Sequence, residues 1–252
     1  MDFMPAHGTT LIADVFDMLV IDPKGYVLLE DKLTSGNISG QTESNDVRAG
    51  QGNNLFAVLH NSKEIEITQN SPVFNFKSLA MHIGSDITTG KGIGYAAAES
   101  HIVSNGKITL KKEPISQSSV KIENEHGIQL NDFTLSEKEI TFEDLADGEK
   151  VRVLTYEYET PEHSQTIFIP ANEFPENVKI VLTTLEISRG EQPLNYIQFV
   201  FDLVKPSANF TIETSSERQA ATRENTFRVL KPEGEKYLGK VHRFPIDENP
   251  TP

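Results

Sequence analysis

Lys63-Glu64-Ile65-Glu66-Ile67-Thr68-Gln69 alternates apolar and polar side chains, the period of a strand with one buried face. Ile65 and Ile67 point one way, and Glu64, Glu66 and Thr68 the other. The same rhythm returns in residues 196–202, where Ile197, Phe199 and Phe201 oppose Tyr196, Gln198 and Asp202. It returns again in residues 209–213, with Phe210 and Ile212 facing inward. Leu11–Ile21 and Val178–Ile187 are longer and rich in β-branched and large apolar residues, so both read as strands covered on two sides. The turn Asp22-Pro23-Lys24-Gly25 follows the first of them. Proline presets φ at its second position and glycine supplies a permissive backbone at its fourth, which predicts a hairpin into Tyr26-Val27-Leu28-Leu29-Glu30.

One segment departs from this rhythm. Phe76, Leu79, Ala80 and Ile83 fall at i, i+3, i+4 and i+7, the apolar stripe of a short helix packed on a sheet. Asn75 stands before it as an N-cap and Gly84 after it as a C-cap. Residues 85–94 then read as a polar, glycine-rich loop. From 107 to 160 the chain looks like a unit of its own. Short strands, Ile108-Thr109-Leu110, Val120-Lys121-Ile122 and Glu139-Ile140-Thr141-Phe142, are separated by turns at Glu125-His126-Gly127 and Ala146-Asp147-Gly148-Glu149. They lead to the alternating run at 150–158, a pattern that suggests a small sandwich or barrel. About fifty residues is near the lower limit for an independent core, so this unit is expected to lean on its host. Residues 246–252, polar and proline-ended, read as a flexible tail.

The 252 residues include 37 acids and 23 bases, a formal net charge of −14. The middle third, residues 85–170, is the most acidic, with 15 acids against 8 bases. Such a surface repels nucleic acid and anionic lipid, which argues against a DNA-gripping role. Cysteine is absent, so disulfides, thiol nucleophiles and thiolate metal sites are excluded. No apolar run approaches the roughly 18 to 20 residues that span a bilayer. Met1-Asp2-Phe3-Met4-Pro5 lacks the features of a signal peptide, so the expectation is a soluble chain made in a cytoplasm.

Chemistry finds little support. The seven histidines (7, 60, 82, 101, 126, 163 and 242) are scattered and show no metal-ligand spacing. No Gly-x-Ser-x-Gly elbow is present. Asp147 and Glu149 sit at a turn, where solvation explains them better than pairing. Gly90-Lys91-Gly92-Ile93-Gly94 and Gly50-Gln51-Gly52-Asn53-Asn54 lack the strand–loop–helix setting of a phosphate loop and read as turns needing positive φ. No cofactor and no enzymatic activity are expected.

The N-terminal block is more telling as an ordered whole: Leu11-Ile12-Ala13-Asp14-Val15-Phe16, the turn at 22–25, then Leu33-Thr34-Ser35-Gly36-Asn37-Ile38-Ser39-Gly40. Asp46-Val47-Arg48-Ala49-Gly50-Gln51-Gly52-Asn53-Asn54-Leu55 follows, then the 63–68 strand and the short helix. With the later stretches 210–218 and 227–229, this order resembles the major tail (tail tube) proteins of long-tailed bacteriophages infecting Gram-positive bacteria. The resemblance implies a mainly β fold, a tail-tube β-sandwich with one flanking short helix over residues 1–106 and 161–245. The β-rich insertion at 107–160 would lie on the outer surface. It implies homohexameric rings stacked into a tube through which the genome passes without specific binding, in the tail of the virion. Tape-measure, tail terminator and distal tail proteins would be the partners. The polar segment with Asp46, Arg48, Gly50, Gly52 and Asn53 is expected as a loop reaching a neighbouring subunit. Glu64 and Glu66, with Glu43 and Asp46, are expected as an acidic face toward the lumen. Two alternatives remain at this level: another virion component, such as a capsid decoration or baseplate protein, and a ligand-binding β-sandwich. The absence of Trp and the presence of only six Tyr count against a carbohydrate-binding form of the latter.

Overall fold

The computed structural model describes residues 10–209, 211–212, 216 and 223–246. The chain opens with β1 (Leu11–Ile21), β2 (Val27–Lys32), β3 (Ser35–Ala49) and β4 (Asn54–Ser71), followed by α1 (Phe76–Ile83). Short strands come next: β5 (Ile87–Thr89), β6 (Ile93–Tyr95), β7 (Glu99–Ile102), β8 (Lys107–Thr109), β9 (Lys121–Asn124) and β10 (Gln129–Leu130). They continue through β11 (Phe133–Ser136), β12 (Glu139–Phe142), β13 (Lys150–Thr155), β14 (Glu157–Glu159) and β15 (Gln165–Ile167). The chain closes with β16 (Val178–Ile187), β17 (Pro193–Pro206), β18 (Arg223–Val229) and β19 (Lys240–Pro245). The fold is mainly β, as the alternating rhythm predicts, and α1 is the one α-helix among the described residues. Residues 210 and 213 of the strand expected at 209–213, most of the 210–218 stretch, and residues 247–252 of the expected tail lie outside the described residues.

Two compact units emerge, Met1–Asp86 with Phe168–Pro252, and Ile87–Ile167. The first is an antiparallel sheet in the order β2-β1-β16-β17-β18-β4-β3, with β19 also paired to β17. β17 serves two neighbours in turn: residues 195–200 pair with β19, and residues 204–206 with β18. β2 runs into β3 through Leu33 and Thr34, and the Thr34 N–H donates to the Asn70 carbonyl at 2.9 Å. These two passages let the sheet fold over on itself. Met18, Val20, Ile180, Leu182 and Phe201 from one half then meet Ile67, Phe227 and Val229 from the other in a single core. The expected sandwich thus takes the form of one continuous sheet. Each large apolar side chain buried there contributes roughly 1.5–3 kcal/mol.

β16 alternates buried and half-buried positions along its whole length, so its second face is only partly covered. β1 departs further from the expected two-sided cover, exposing Leu11, Ile12 and Val15. Its register with β16 slips between Ala13 and Asp17. Asp14 takes a positive φ of 67° there, and the Thr184 hydroxyl donates to the Ala13 carbonyl at 2.9 Å. The irregularity turns Phe16 toward Phe199, ring centroids 5.8 Å apart.

α1 has the predicted bounds and caps. The Asn75 side chain accepts from the Lys77 and Ser78 N–H groups, and Gly84 at φ 78° closes the helix on Ala80. A Cβ at Gly84 would lie 2.5 Å from the Phe174 carbonyl carbon, so glycine is required twice over. The buried face, however, is Ser78, Ala80, His82 and Ile83, while Phe76 and Leu79 are half-buried. The sheet under the helix carries polar residues, which suits this rotated face.

The second unit holds a sheet ordered β10-β9-β13-β7, a sheet ordered β11-β12-β8, and the pairs β14-β6 and β15-β5. It begins at 87 and ends at 167, not at 107 and 160. Residues 87–102 supply β5, β6 and β7, which pair with β15, β14 and β13, and so belong with the later strands. The loop expected at 85–94 therefore contains two strands. Val103, Ile122, Ile140, Val153 and Tyr156 give the unit a core of its own. Tyr156 breaks the run expected as one strand at 150–158: its side chain is fully buried and its hydroxyl donates to Glu99 Oε1 at 2.9 Å. The chain enters and leaves the unit side by side, since Ile87 is the cross-strand partner of Ile167.

Candidate functional site

β3 and β4 pair along fifteen positions, from Ser35 with Asn70 to Ala49 with Asn54. β18 reaches β4 only at residues 66–71. From about Gly40 outward the hairpin is therefore a two-stranded arm, roughly 30 Å long at about 3.3 Å per residue. The loop expected at 46–54 is shorter than that, a turn at residues 50–53. Gly50, Gly52 and Asn53 take positive φ values of 83°, 90° and 52° in it. Asp46 and Arg48 lie in β3, opposite Val58 and Leu55, and bind each other at 3.2 Å.

Toward its tip the arm exposes large apolar side chains on β4. Phe56 is 78% exposed, Leu59 56% and Leu55 51%, with Val47 and Val58 also exposed. The register slips between Glu43 and Ser44 and between Val47 and Arg48, leaving Asn61 and Phe56 of β4 without partners across the ladder. Such bulges increase local twist and re-aim side chains. By alternation, Val47, Ala57 and Leu59 share one face, and Asp46, Arg48, Leu55 and Val58 the other. Two strands with no third are marginal in water by themselves.

Three of the four carboxylates expected as one face do share it. Glu43 pairs across from Ser62, whose hydroxyl donates to Glu43 Oε2 at 3.2 Å. Glu64 and Glu66 follow on the same side of β4, whereas Asp46 alternates to the opposite side of the arm. The face is mixed in charge. Arg228 stands directly opposite Glu66, and Lys205 opposite Arg228.

A buried polar group under α1 escapes sequence reading. The Ser71 hydroxyl donates to Asp31 Oδ1 at 2.8 Å, and Arg223 Nη2 lies 3.6 Å from Asp31 Oδ2. Arg223 Nη1 also donates to the Asn75 carbonyl at 3.3 Å. His82 is buried beside them, its ring 5.3 Å from Phe227 and its Nδ1 2.8 Å from the Ser207 carbonyl. That contact makes Nδ1 the protonated nitrogen. Burial, chiefly, and the Arg223 charge lower the His82 pKa, so the ring is neutral at pH 7.

Asp147 and Glu149 act locally. Asp147 Oδ1 accepts from the Gly106 N–H at 3.2 Å and Glu149 Oε1 from the Ala146 N–H at 3.3 Å. Among the described residues no three His, Cys, Asp or Glu converge as metal ligands.

The chain belongs to the YomU/Tube protein family, which it matches over residues 10–244. The YomU/Tube family is one of structural phage tube proteins, not of enzymes. Comparison with curated proteins finds no match. The family match spans both units, so the second unit lies within the matched chain. None of the described helices is long and apolar enough to cross a membrane.

Proposed function

We propose that this chain is the subunit of the tail tube of a long-tailed bacteriophage infecting Gram-positive bacteria. Homohexameric rings stack into the tube, and the genome leaves through its channel without specific binding. The observation that carries this reading is the β3–β4 arm, whose exposed Leu55, Phe56, Val58 and Leu59 have no cover among the described residues. A neighbouring subunit supplies that cover, and closure into a ring removes the sheet edges that β2 and β3 otherwise present. The face bearing Glu43, Glu64 and Glu66 turns toward the channel, where carboxylates keep the DNA phosphates from adhering. The unit Ile87–Ile167 lies on the outer surface, and the tape-measure, tail terminator and distal tail proteins are the partners in the virion. Synthesis takes place in the host cytoplasm. Negative-stain microscopy of the purified chain tests the proposal: stacked rings or tubes are expected, and a uniform field of monomers at high concentration overturns it.

A further inference from the structure

The motif Gly90-Lys91-Gly92-Ile93-Gly94 has no part in the tube reading, and its glycines are not turn glycines. Of the glycines with positive φ, none falls at 90, 92 or 94, contrary to the expectation from sequence. Nor is the segment a phosphate loop, since the Gly92 N–H is already engaged by Thr160 Oγ1 at 2.8 Å. Gly94 is small for another reason. A Cβ there would lie 2.7 Å from Cζ of Tyr158, its cross-strand partner. The missing side chain lets the tyrosine ring settle against the backbone of β6.

That ring forms part of a cleft of about 700 Å³ within the second unit. Lys112 Nζ stands over the Tyr158 ring, 5.9 Å from its centroid, at the outer limit of a cation–π contact. Lys138 lines the cleft with it. Among the described residues neither lysine has a carboxylate within ion-pair distance, unlike Lys91, which binds Glu159 at 2.9 Å. Ile93 and Ile115 form an apolar rim, 62% and 50% exposed. The unit as a whole carries fourteen acids against eight bases, so two uncompensated lysines in its cleft run against the local charge.

We propose that this cleft binds an anionic polysaccharide, with one sugar ring against Tyr158 and its acidic substituent shared by Lys112 and Lys138. The apolar faces of a sugar ring suit an aromatic plane flanked by aliphatic side chains. The Lys91–Glu159 pair offers a donor and an acceptor side by side for hydroxyl groups, and Glu113 a further acceptor. The two free ammonium groups select a charged polymer over a neutral one. With a net charge of −14, the protein does not attract polyanions indiscriminately.

The test uses the full-length chain and labelled dextran sulfate, followed by fluorescence anisotropy. Saturable binding is expected, weakening as salt rises from about 50 to about 300 mM, with neutral dextran bound about ten-fold more weakly or worse. Lys112→Glu with Lys138→Glu lies on the surface and leaves the melting temperature unchanged, yet raises Kd about ten-fold or more. Tyr158→Ala weakens dextran sulfate more than it weakens polyphosphate, which has charge but no sugar. Three results overturn the proposal: no saturable binding, unchanged binding by the double lysine variant, or equal or tighter binding of polyphosphate or a single-stranded oligonucleotide.

Discussion

Arg243 and Glu186 form a two-point ion pair that reaches across an intervening strand. Nε–H donates to Oε2 at 2.6 Å and Nη2–H to Oε1 at 3.0 Å, joining β19 to β16 over β17. Glu186 is buried and also accepts from Asn195 Nδ2 at 2.8 Å. The Arg243 hydrogen bonds, chiefly, with those from Thr10 and Asn195, hold its carboxyl down at about 2 against the opposing effect of burial. A carboxyl depressed in the folded state stabilises fully above its ordinary value of 4.5, and that stability is lost as pH falls toward 2. Arg243→Gln therefore lowers the melting temperature near neutral pH and flattens its fall between about pH 4.5 and 2. Thermal melts across that window check both, and a variant that melts as the wild type does removes the clasp from the account.

His82 also loses stability on acidification, in a window that starts nearer neutral pH. Its pKa is lowered, first by burial, so the unfolded chain takes up a proton on acidification before the folded chain does. The neutral ring's full stability is present above pH 6.5 and declines as pH falls below that value toward the folded pKa. Arg223, which carries its own charge close by, makes protonation worse, and Asp31 beside it is already engaged by Ser71 and Arg223. His82→Asn keeps a donor for the Ser207 carbonyl and cannot titrate. Its stability near pH 7.5 should lie within about 1 kcal/mol of wild type, while the loss between pH 7.5 and 5.5 shrinks. Urea denaturation at the two pH values measures the difference, and an equal loss in both proteins counts against His82.

What was legible in the sequence was local. Leu11–Ile21, Val178–Ile187 and Phe76–Ile83 could be read to their end residues because the first two are runs rich in β-branched and large apolar residues and the third carries an apolar stripe with its own caps. The arm was not. Ser35–Ala49 exposes nearly all of its length, so no alternation of buried residues marks it, and Gly50 and Gly52 advertise only the turn. β5 and β6 have three residues each, too short for a period, and this hid the true start of the second unit. Phe227 and Ser207 meet His82 through tertiary packing, which spacing along the chain does not reveal. The acidic face was half legible: alternation groups Glu64 with Glu66, but only register places Arg228 opposite one of them.

The mixed charge of that face sharpens a test of the channel. Glu64 is exposed, while Glu66 already faces Arg228 and lines a cleft with Lys205 and Glu224. Glu64→Lys with Glu66→Gln leaves both core neighbours, Ile65 and Ile67, untouched. Tubes should form normally, and phage carrying the substitution should eject DNA more slowly at low salt, the difference fading as salt screens the added charge. Unchanged ejection at low salt, or a density map with both side chains on the tube exterior, rejects the channel assignment.

The second unit offers a cleaner excision than its sequence boundaries promised. Because Ile87 and Ile167 are cross-strand partners, their Cα atoms stand only about 5 Å apart. Replacing residues 87–167 by a short Gly-Ser linker should leave the core of Met18, Ile180, Phe201 and Phe227 intact. If the unit decorates the exterior, the shortened chain still forms tubes, thinner in projection. A shortened chain that folds by circular dichroism but no longer polymerises places the unit in the tube wall instead.

The arm is where the assembly reading is most exposed to refutation. Phe56 and Leu59 contribute nothing to either core cluster, and substitutions at such solvent-facing positions change stability by only about 0.5 kcal/mol. Phe56→Ser with Leu59→Ser should therefore leave the monomer's melting temperature almost unchanged. If the arm packs on a neighbouring subunit as proposed, the same change removes two large apolar side chains from that contact, each worth roughly 1.5–3 kcal/mol when fully buried. A contact repeated around every ring multiplies that loss, so tubes should fail to form at concentrations where wild type polymerises. Sedimentation velocity and microscopy on matched samples decide it. Normal tubes from the double variant mean that the arm's apolar surface is covered by something other than a second copy of this chain.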